Sequence, residues 1–211
     1  MLRLAKGSAK LLITALILVL IVFVISLVFP LGFLKIVRCI FLVTFLFLAF
    51  FFRDPDRKTP QGDENIISPA DGKVVSIEHN DDKKRVAIFM SLFNVHVNRA
   101  PVKGKVIARK HSPGQYLPAF NPNCHLKNEQ CEIIIQHRDI KVKVVQIAGL
   151  VARKIVNYLK KEDKVKAGQR YGMIKLGSRL DVEFPDYCSV QVEKGQKVKA
   201  GQTIIAKIKK G

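Results

Sequence analysis

Acidic residues are scarce: 17 Asp and Glu stand against 36 Lys and Arg in 211 residues, a net charge of +19. Eight of the bases and two of the acids lie in the first 58 residues, so most of the excess belongs to the remainder. Such a surface suits anionic lipid headgroups, each nearby Lys or Arg contributing about 1 kcal/mol. Nucleic acid is the rival partner for a basic chain. It is set aside, because no motif supports it and only Tyr116 and Phe120 are aromatic near the likeliest loop. Cysteine is also sparse. Cys39, Cys124, Cys131 and Cys188 include no pair at metal-ligand spacing, so no metal is expected and the thiols read as free in a reducing compartment. Charge is missing altogether from Leu11 to Phe29. No small-residue cleavage site follows that run, which argues against a secretory leader that is removed.

What is present divides the chain in two. Leu11 to Phe29 spans roughly 28 Å as a helix, close to the hydrocarbon thickness of a bilayer. A second apolar run, Cys39 to Phe52, follows Pro30, Lys35 and Arg38, and crosses fully only if its helix starts near Leu31. Together they predict a membrane-anchoring helical hairpin over 1–52, spanning or in-plane, with Lys35 and Arg38 at its turn. Arg3, Lys6 and Lys10 flank one end, and Arg53, Arg57 and Lys58 flank the other. The positive-inside rule then puts both ends on the cytoplasmic face of the cell (inner) membrane.

From residue 53 to 211, short apolar runs are broken by Gly, Pro and Asn. Lys73 to Ile77, Val86 to Met90, Val102 to Ala108, Cys131 to Gln136, Ile140 to Ile147, Gly172 to Leu176, Leu180 to Glu183 and Thr203 to Ile208 read as strands. Ala148 to Lys161 reads as the one helix of this domain, with Val151, Ile155, Val156 and Leu159 on one face. Lys164-Val165-Lys166-Ala167-Gly168-Gln169 recurs as Lys197-Val198-Lys199-Ala200-Gly201-Gln202, each followed by a strand. Repeated glycine turns of this kind occur in the small barrels that carry biotin or lipoyl groups. The predicted fold is therefore mainly β, a small barrel or sandwich with biotinyl/lipoyl-like hairpin elements and one helix, behind an apolar hairpin.

Three segments carry chemistry. Gly177-Ser178 lies in a β-rich setting where the Ser hydroxyl can attack the unobstructed carbonyl of Gly177, turning an amide into an ester. Elimination and hydrolysis would then leave a pyruvoyl group at a new N-terminus, a ketone able to form a Schiff base with an amine and to accept electrons. Asp71, between Pro69 and Gly72, reads first as the cap of a tight turn before a strand. His96, between Val95 and Val97, reads first as a core or hydrogen-bonded imidazole rather than a catalyst. An acid, an imidazole and a hydroxyl are the inventory needed to activate a serine.

Five blocks, in order, resemble the signatures of phosphatidylserine decarboxylases of the short membrane-associated type. They are Phe52-Arg53-Asp54-Pro55-Asp56-Arg57, Ser68-Pro69-Ala70-Asp71-Gly72, Asn94-Val95-His96-Val97-Asn98-Arg99-Ala100-Pro101, Gln146-Ile147-Ala148-Gly149-Leu150-Val151-Ala152-Arg153 and Gly172-Met173-Ile174-Lys175-Leu176-Gly177-Ser178-Arg179. The resemblance implies a proenzyme that cuts itself between Gly177 and Ser178, giving a β-chain of 1–177 and an α-chain of 178–211 that stay together as a heterodimer. It implies Ser178 as pyruvoyl precursor, His96 as the base that activates it and Asp71 as the acid that orients His96. Two departures stand out: Arg179 occupies a position where many relatives have Thr, and Phe93 one where longer relatives have a second His. The expected reaction is decarboxylation of phosphatidylserine to phosphatidylethanolamine, with Arg99 and Arg179 as candidates to hold the lipid phosphate. The alternatives are the same chemistry on archaetidylserine, or a membrane-tethered carrier modified at Lys175.

Overall fold

The computed structural model describes residues 3–29, 31–80, 82–115, 117, 124–149, 155–174 and 178–209. The chain divides into two compact units, Met1–Asp56 and Arg57–Gly211.

In the first unit, helices α1 (Ala9–Val28) and α2 (Gly32–Phe51) pack on each other. Each has 20 residues and is long and apolar enough to cross a membrane. The outer ends are tied together: Ala5 N–H donates to Phe52 O at 2.8 Å and Asp54 N–H to Arg3 O at 2.7 Å. Lys35 and Arg38, expected at the turn, lie inside α2, where the Arg38 guanidinium sits 5.5 Å from the Phe23 ring centre.

The second unit is built from strands. In chain order they are β1 (Asn65–Ile67), β2 (Gly72–Asn80), β3 (Lys83–Met90), β4 (Val97–Arg99), β5 (Gly104–Ser112), β6 (Gln130–His137), β7 (Ile140–Ile147), β8 (Ile155–Asn157), β9 (Lys164–Val165), β10 (Arg170–Ile174), β11 (Ser178–Pro185), β12 (Ser189–Val190), β13 (Lys197–Val198) and β14 (Ile204–Lys207). A single helical turn, α3 (Cys124–Lys127), precedes β6. Alternating apolar residues make the long strands two-faced. In β6 the buried positions are Cys131, Ile133, Ile135 and His137, and in β7 they include Ile140, Val142 and Val144. These inner faces meet Val74, Ile88, Leu180 and Val182 in one core.

The expected helix over 148–161 is a misreading. Residues 150–154 lie outside the described set, and Ile155–Asn157 is a strand paired with β10. Val151, Ile155, Val156 and Leu159 match a helical period by spacing. β-Branched residues in so short a run fit a strand as well, and the partner strand decides.

The strands repeat about a pseudo-twofold axis. The large sheet runs β13-β2-β3-β11-β7-β6-β5-β9, and each small sheet is a triplet, β1-β14-β12 and β4-β10-β8. Reversing the large sheet exchanges β2 with β5, β3 with β6, β11 with β7 and β13 with β9. Details follow the exchange: Val74 N–H donates to Gln196 O and Val106 N–H to Asp163 O, both at 2.9 Å. Gly168 and Gly201 share a left-handed conformation, φ +76° and +72°, in the two Lys-Val-Lys-Ala-Gly-Gln turns. The expected repeat is thus the visible part of a larger duplication. One copy (β4 to β10) is contiguous; the other is split, β1 to β3 before it and β11 to β14 after it.

The split explains a peculiarity of the fold. In the contiguous copy β6 and β7 form a tight hairpin through Arg138 and Asp139, with His137 opposite Ile140. In the split copy the equivalent pair is Met90 opposite Ser178, and the hairpin between them is open, the other copy being inserted there. Ser178 is the first residue of the returning strand.

Candidate active site

Ser178 is placed by β11 pairing with β3 on one side, and Arg179 onward with β7 on the other. Its side chain is fully buried, and among the described residues its Oγ has no hydrogen-bond partner. A buried hydroxyl left unsatisfied costs about 1–3 kcal/mol, so its retention here calls for a chemical reason. Gly177, the other half of the expected scissile bond, lies outside the described residues, as does Lys175 of the carrier alternative.

His96 stands just before β4 and is fully buried. Its Nδ1 lies 2.9 Å from Asn94 O. A carbonyl only accepts, so Nδ1 carries the hydrogen, and in the neutral ring Nε2 is the basic nitrogen. Asn94 is itself pinned, its Oδ1 accepting from Ser91 N–H at 2.9 Å and Ser91 O–H at 2.8 Å.

Asp71 sits in the turn before β2. Arg57 grips it with both ends of the guanidinium, Nη2 donating to Oδ2 at 2.8 Å and Nη1 bonding Oδ1. Ala200 N–H adds a third donor at 2.8 Å, and Arg57 Nη1 also donates to Ala200 O at 2.9 Å. The carboxylate is thereby locked to the second Lys-Val-Lys-Ala-Gly-Gln turn. The family resemblance implies that Asp71 orients the imidazole. In the structure the contact at Nδ1 is the Asn94 carbonyl, and the partners gripping Asp71 are Arg57 and Ala200.

A cavity of about 440 Å³ lies beside Asp71, and neither His96 nor Ser178 is among its lining residues. Asp71 and Asn94 line it, and so do Phe89 and Ser91, which flank Met90, the cross-strand partner of Ser178.

Two polar networks beside the site escaped the sequence reading. Gln146 Nε2 donates to Asn98 Oδ1 at 2.8 Å and Asn157 Nδ2 to Gln146 Oε1 at 2.9 Å, joining β7, β4 and β8. Asn98 Nδ2 reaches only the thioether of Met90, at 3.8 Å. These amides flank β10, the strand that leads toward Ser178. The second network is the buried fork of Arg179 on Asp181, Nε to Oδ1 at 2.6 Å and Nη2 to Oδ2 at 2.9 Å, which fixes the residue after Ser178. Arg99, equally buried, donates to Gly168 O at 3.2 Å. Both arginines are therefore occupied inside the protein, and neither is available to hold a lipid phosphate. The only signals for these networks were Asn98, Gln146 and Arg179 within the quoted blocks.

Comparison with known proteins decides the lineage. The family model described as phosphatidylserine decarboxylase matches residues 44–206. The chain belongs to the phosphatidylserine decarboxylase family. The phosphatidylserine decarboxylase proenzyme of Geotalea uraniireducens is 46% identical over 179 residues, covering 81% of this chain and 84% of that protein. A Methanosarcina barkeri protein provisionally named archaetidylserine decarboxylase proenzyme is 45% identical over 207 residues, 98% of this chain and all of its own length. One of the same provisional name from Methanosarcina mazei is 49% identical over 162 residues, 77% of this chain and 76% of its own.

Proposed function

We propose that this chain cuts itself between Gly177 and Ser178 and then decarboxylates a seryl phospholipid, phosphatidylserine to phosphatidylethanolamine. The observation that carries this reading is the buried, unpartnered Ser178 hydroxyl at the first residue of β11, in a family whose members are named proenzymes.

His96 Nε2 takes the proton of Ser178 Oγ, and Oγ attacks the Gly177 carbonyl. Asp71, held by Arg57 and Ala200, positions the wall that it shares with Asn94, whose carbonyl holds His96 Nδ1. The resulting ester eliminates, releasing the Gly177 carboxylate at the end of the β-chain. Water then hydrolyses the dehydroalanine with loss of ammonia, leaving a pyruvoyl group as the first residue of the α-chain. Neighbouring side chains suit that group: Arg179, held on Asp181, fixes the strand behind it, and the strand pairing keeps the two chains together as a heterodimer. The pyruvoyl group supplies an electrophilic carbonyl that condenses with the substrate amine and accepts the electron pair released with CO2. His96 remains at the site to return a proton to the substrate carbon.

The apolar hairpin anchors the chain in the membrane, with both ends and the second unit on the cytoplasmic side. Archaetidylserine is a second substrate reading, motivated by identities of 45% and 49% to relatives provisionally named for it. The test is intact mass under denaturing conditions. Two chains divided between Gly177 and Ser178, the smaller one blocked by a pyruvoyl group, support the scheme. A single chain of 23.8 kDa that persists with lipid present overturns it.

A further inference from the structure

The cavity beside Asp71 has a lining that the decarboxylation chemistry does not use. Lys73, Lys197 and Lys199 surround it, together with Phe89 and Phe93. All three lysines are exposed, and among the described residues none of them forms an ion pair. Asp71 offers them no free charge, because Arg57 already neutralises it. The cavity therefore presents net positive charge to whatever enters. At its edge the Ser91–Asn94 turn, closed by Asn94 N–H donating to Ser91 O at 3.0 Å, raises Leu92 and Phe93 into solvent, 38% and 71% exposed. Cationic groups beside a rigid apolar finger match an amphiphile whose anion adjoins hydrocarbon.

The other copy supplies an internal control. There Lys105, Lys164 and Lys166 hold the equivalent positions, and the surroundings differ. Lys105 is paired with Glu162, while Lys103, the counterpart of Asp71, is paired with Asp63 at 2.6 Å. The corresponding cavity is lined by the chain's own residues 59–63. All six lysines are exposed, and the copies differ in their surroundings: Lys105 is paired with Glu162 and residues 59–63 line the cavity at Lys103 and Lys166, whereas the cavity in the copy that carries Ser178 is lined by all three of its lysines.

We propose that Lys73, Lys197 and Lys199 bind the phosphodiester of the seryl phospholipid, with Leu92 and Phe93 against the adjoining acyl region. This rests on the decarboxylase reading and names the residues that select its substrate. The site would require a phospholipid and discriminate against free serine or phosphoserine, which lack the hydrocarbon that Phe93 meets.

The test compares the full chain with two triple variants, K73Q/K197Q/K199Q and the control K105Q/K164Q/K166Q, on monomeric dihexanoyl phosphatidylserine. Cleavage is checked first by intact mass. The first variant should raise KM at least about tenfold with kcat lowered less than about threefold, and the control should move KM less than about twofold. A wild-type KM in the first variant, or an equal rise in both, overturns the inference. A wild-type protein that stays uncut, or releases no CO2 from this lipid, overturns the decarboxylase reading instead. Should the first variant not cut itself, acetylation footprinting of the mature wild-type protein decides. Dihexanoyl phosphatidylglycerol, a phosphodiester without an amine, should protect Lys73, Lys197 and Lys199 at least about threefold and leave Lys105, Lys164 and Lys166 reactive. No protection, or equal protection by inorganic phosphate at the same concentration, overturns the lipid assignment.

Discussion

The two copies of the β framework share strand order, turns and hydrogen bonds, yet only one carries the candidate chemistry. In the contiguous copy the chain turns directly from β6 to β7 at Arg138 and Asp139, Arg138 taking a left-handed φ of 50°. In the split copy the same hairpin is open, and its second strand begins with Ser178. A residue there is held by ladder bonds on its C-terminal side, while the chain before it arrives from a different sheet, β10. On the proposed scheme, a cut just before Ser178 would leave β11 paired with β3 and β7 and β10 paired with β4 and β8.

The largest effect expected from breaking this comparison is at Ser178. Ser178→Ala should leave a single chain of 23.8 kDa and no decarboxylation, whereas Ile140→Ser, at the equivalent position of the closed hairpin, should create no new cut. Mass spectrometry checks both, and a second cleavage in Ile140→Ser would show that the strand start alone suffices. Next is His96→Ala, which should slow self-cleavage by about 10²–10⁴-fold, the range for loss of a positioned base. The time course of chain separation at pH 7 reads this directly, and wild-type kinetics would remove His96 from the scheme.

The third contrast sets Asp71 against its counterpart Lys103. Asp71→Asn leaves the Arg57 guanidinium buried without its anion and should cost about 3–5 kcal/mol. Lys103→Met breaks only a partly exposed pair with Asp63 and should cost about 0–1 kcal/mol. Thermal unfolding in the uncut Ser178→Ala background separates the two, and equal losses would mean that Arg57 does not depend on Asp71.

A matched pair sharpens the symmetry itself. A Cβ on Gly72 would lie 2.1 Å from Phe89 O, and one on Gly104 2.1 Å from Gln136 O. Ala at either position should therefore destabilise by a similar amount, about 1–3 kcal/mol, by denaturant titration. A clear inequality would mean that the two copies relax differently. The smallest effect is at Glu78. Partial burial pushes its carboxyl up, but the hydrogen bond and charge of Arg85 outweigh this and hold it below the usual glutamate range. A lowered folded value stabilises above the unfolded value, about 4.3, and is lost as pH falls through the folded one. Glu78→Gln should thus lower Tm slightly at pH 7, and the difference should close as pH falls through the folded value.

Much of this was legible beforehand. Each of the eight expected strands coincides with an observed one where its residues are described, because burial on one face imposes a period of two that survives any arrangement of partners. The apolar hairpin was legible from length and lack of charge. The candidate trio was legible as residue types in a recognised order. The helix over 148–161 was misread because apolar spacing there serves two periods, and only pairing with β10 chooses between them.

The sequence by itself determined the eight expected strands, the hairpin, the glycine turns and the presence of an acid, an imidazole and a hydroxyl, since these depend on local pattern and residue chemistry. Tertiary structure decided the rest. It set Arg57 on Asp71, buried Arg99 and Arg179 on internal partners, and gathered three lysines around one cavity in the copy that carries Ser178. Apart from the Arg179–Asp181 fork within β11, those outcomes depend on contacts between residues well separated in the chain, which packing fixes and no local pattern encodes.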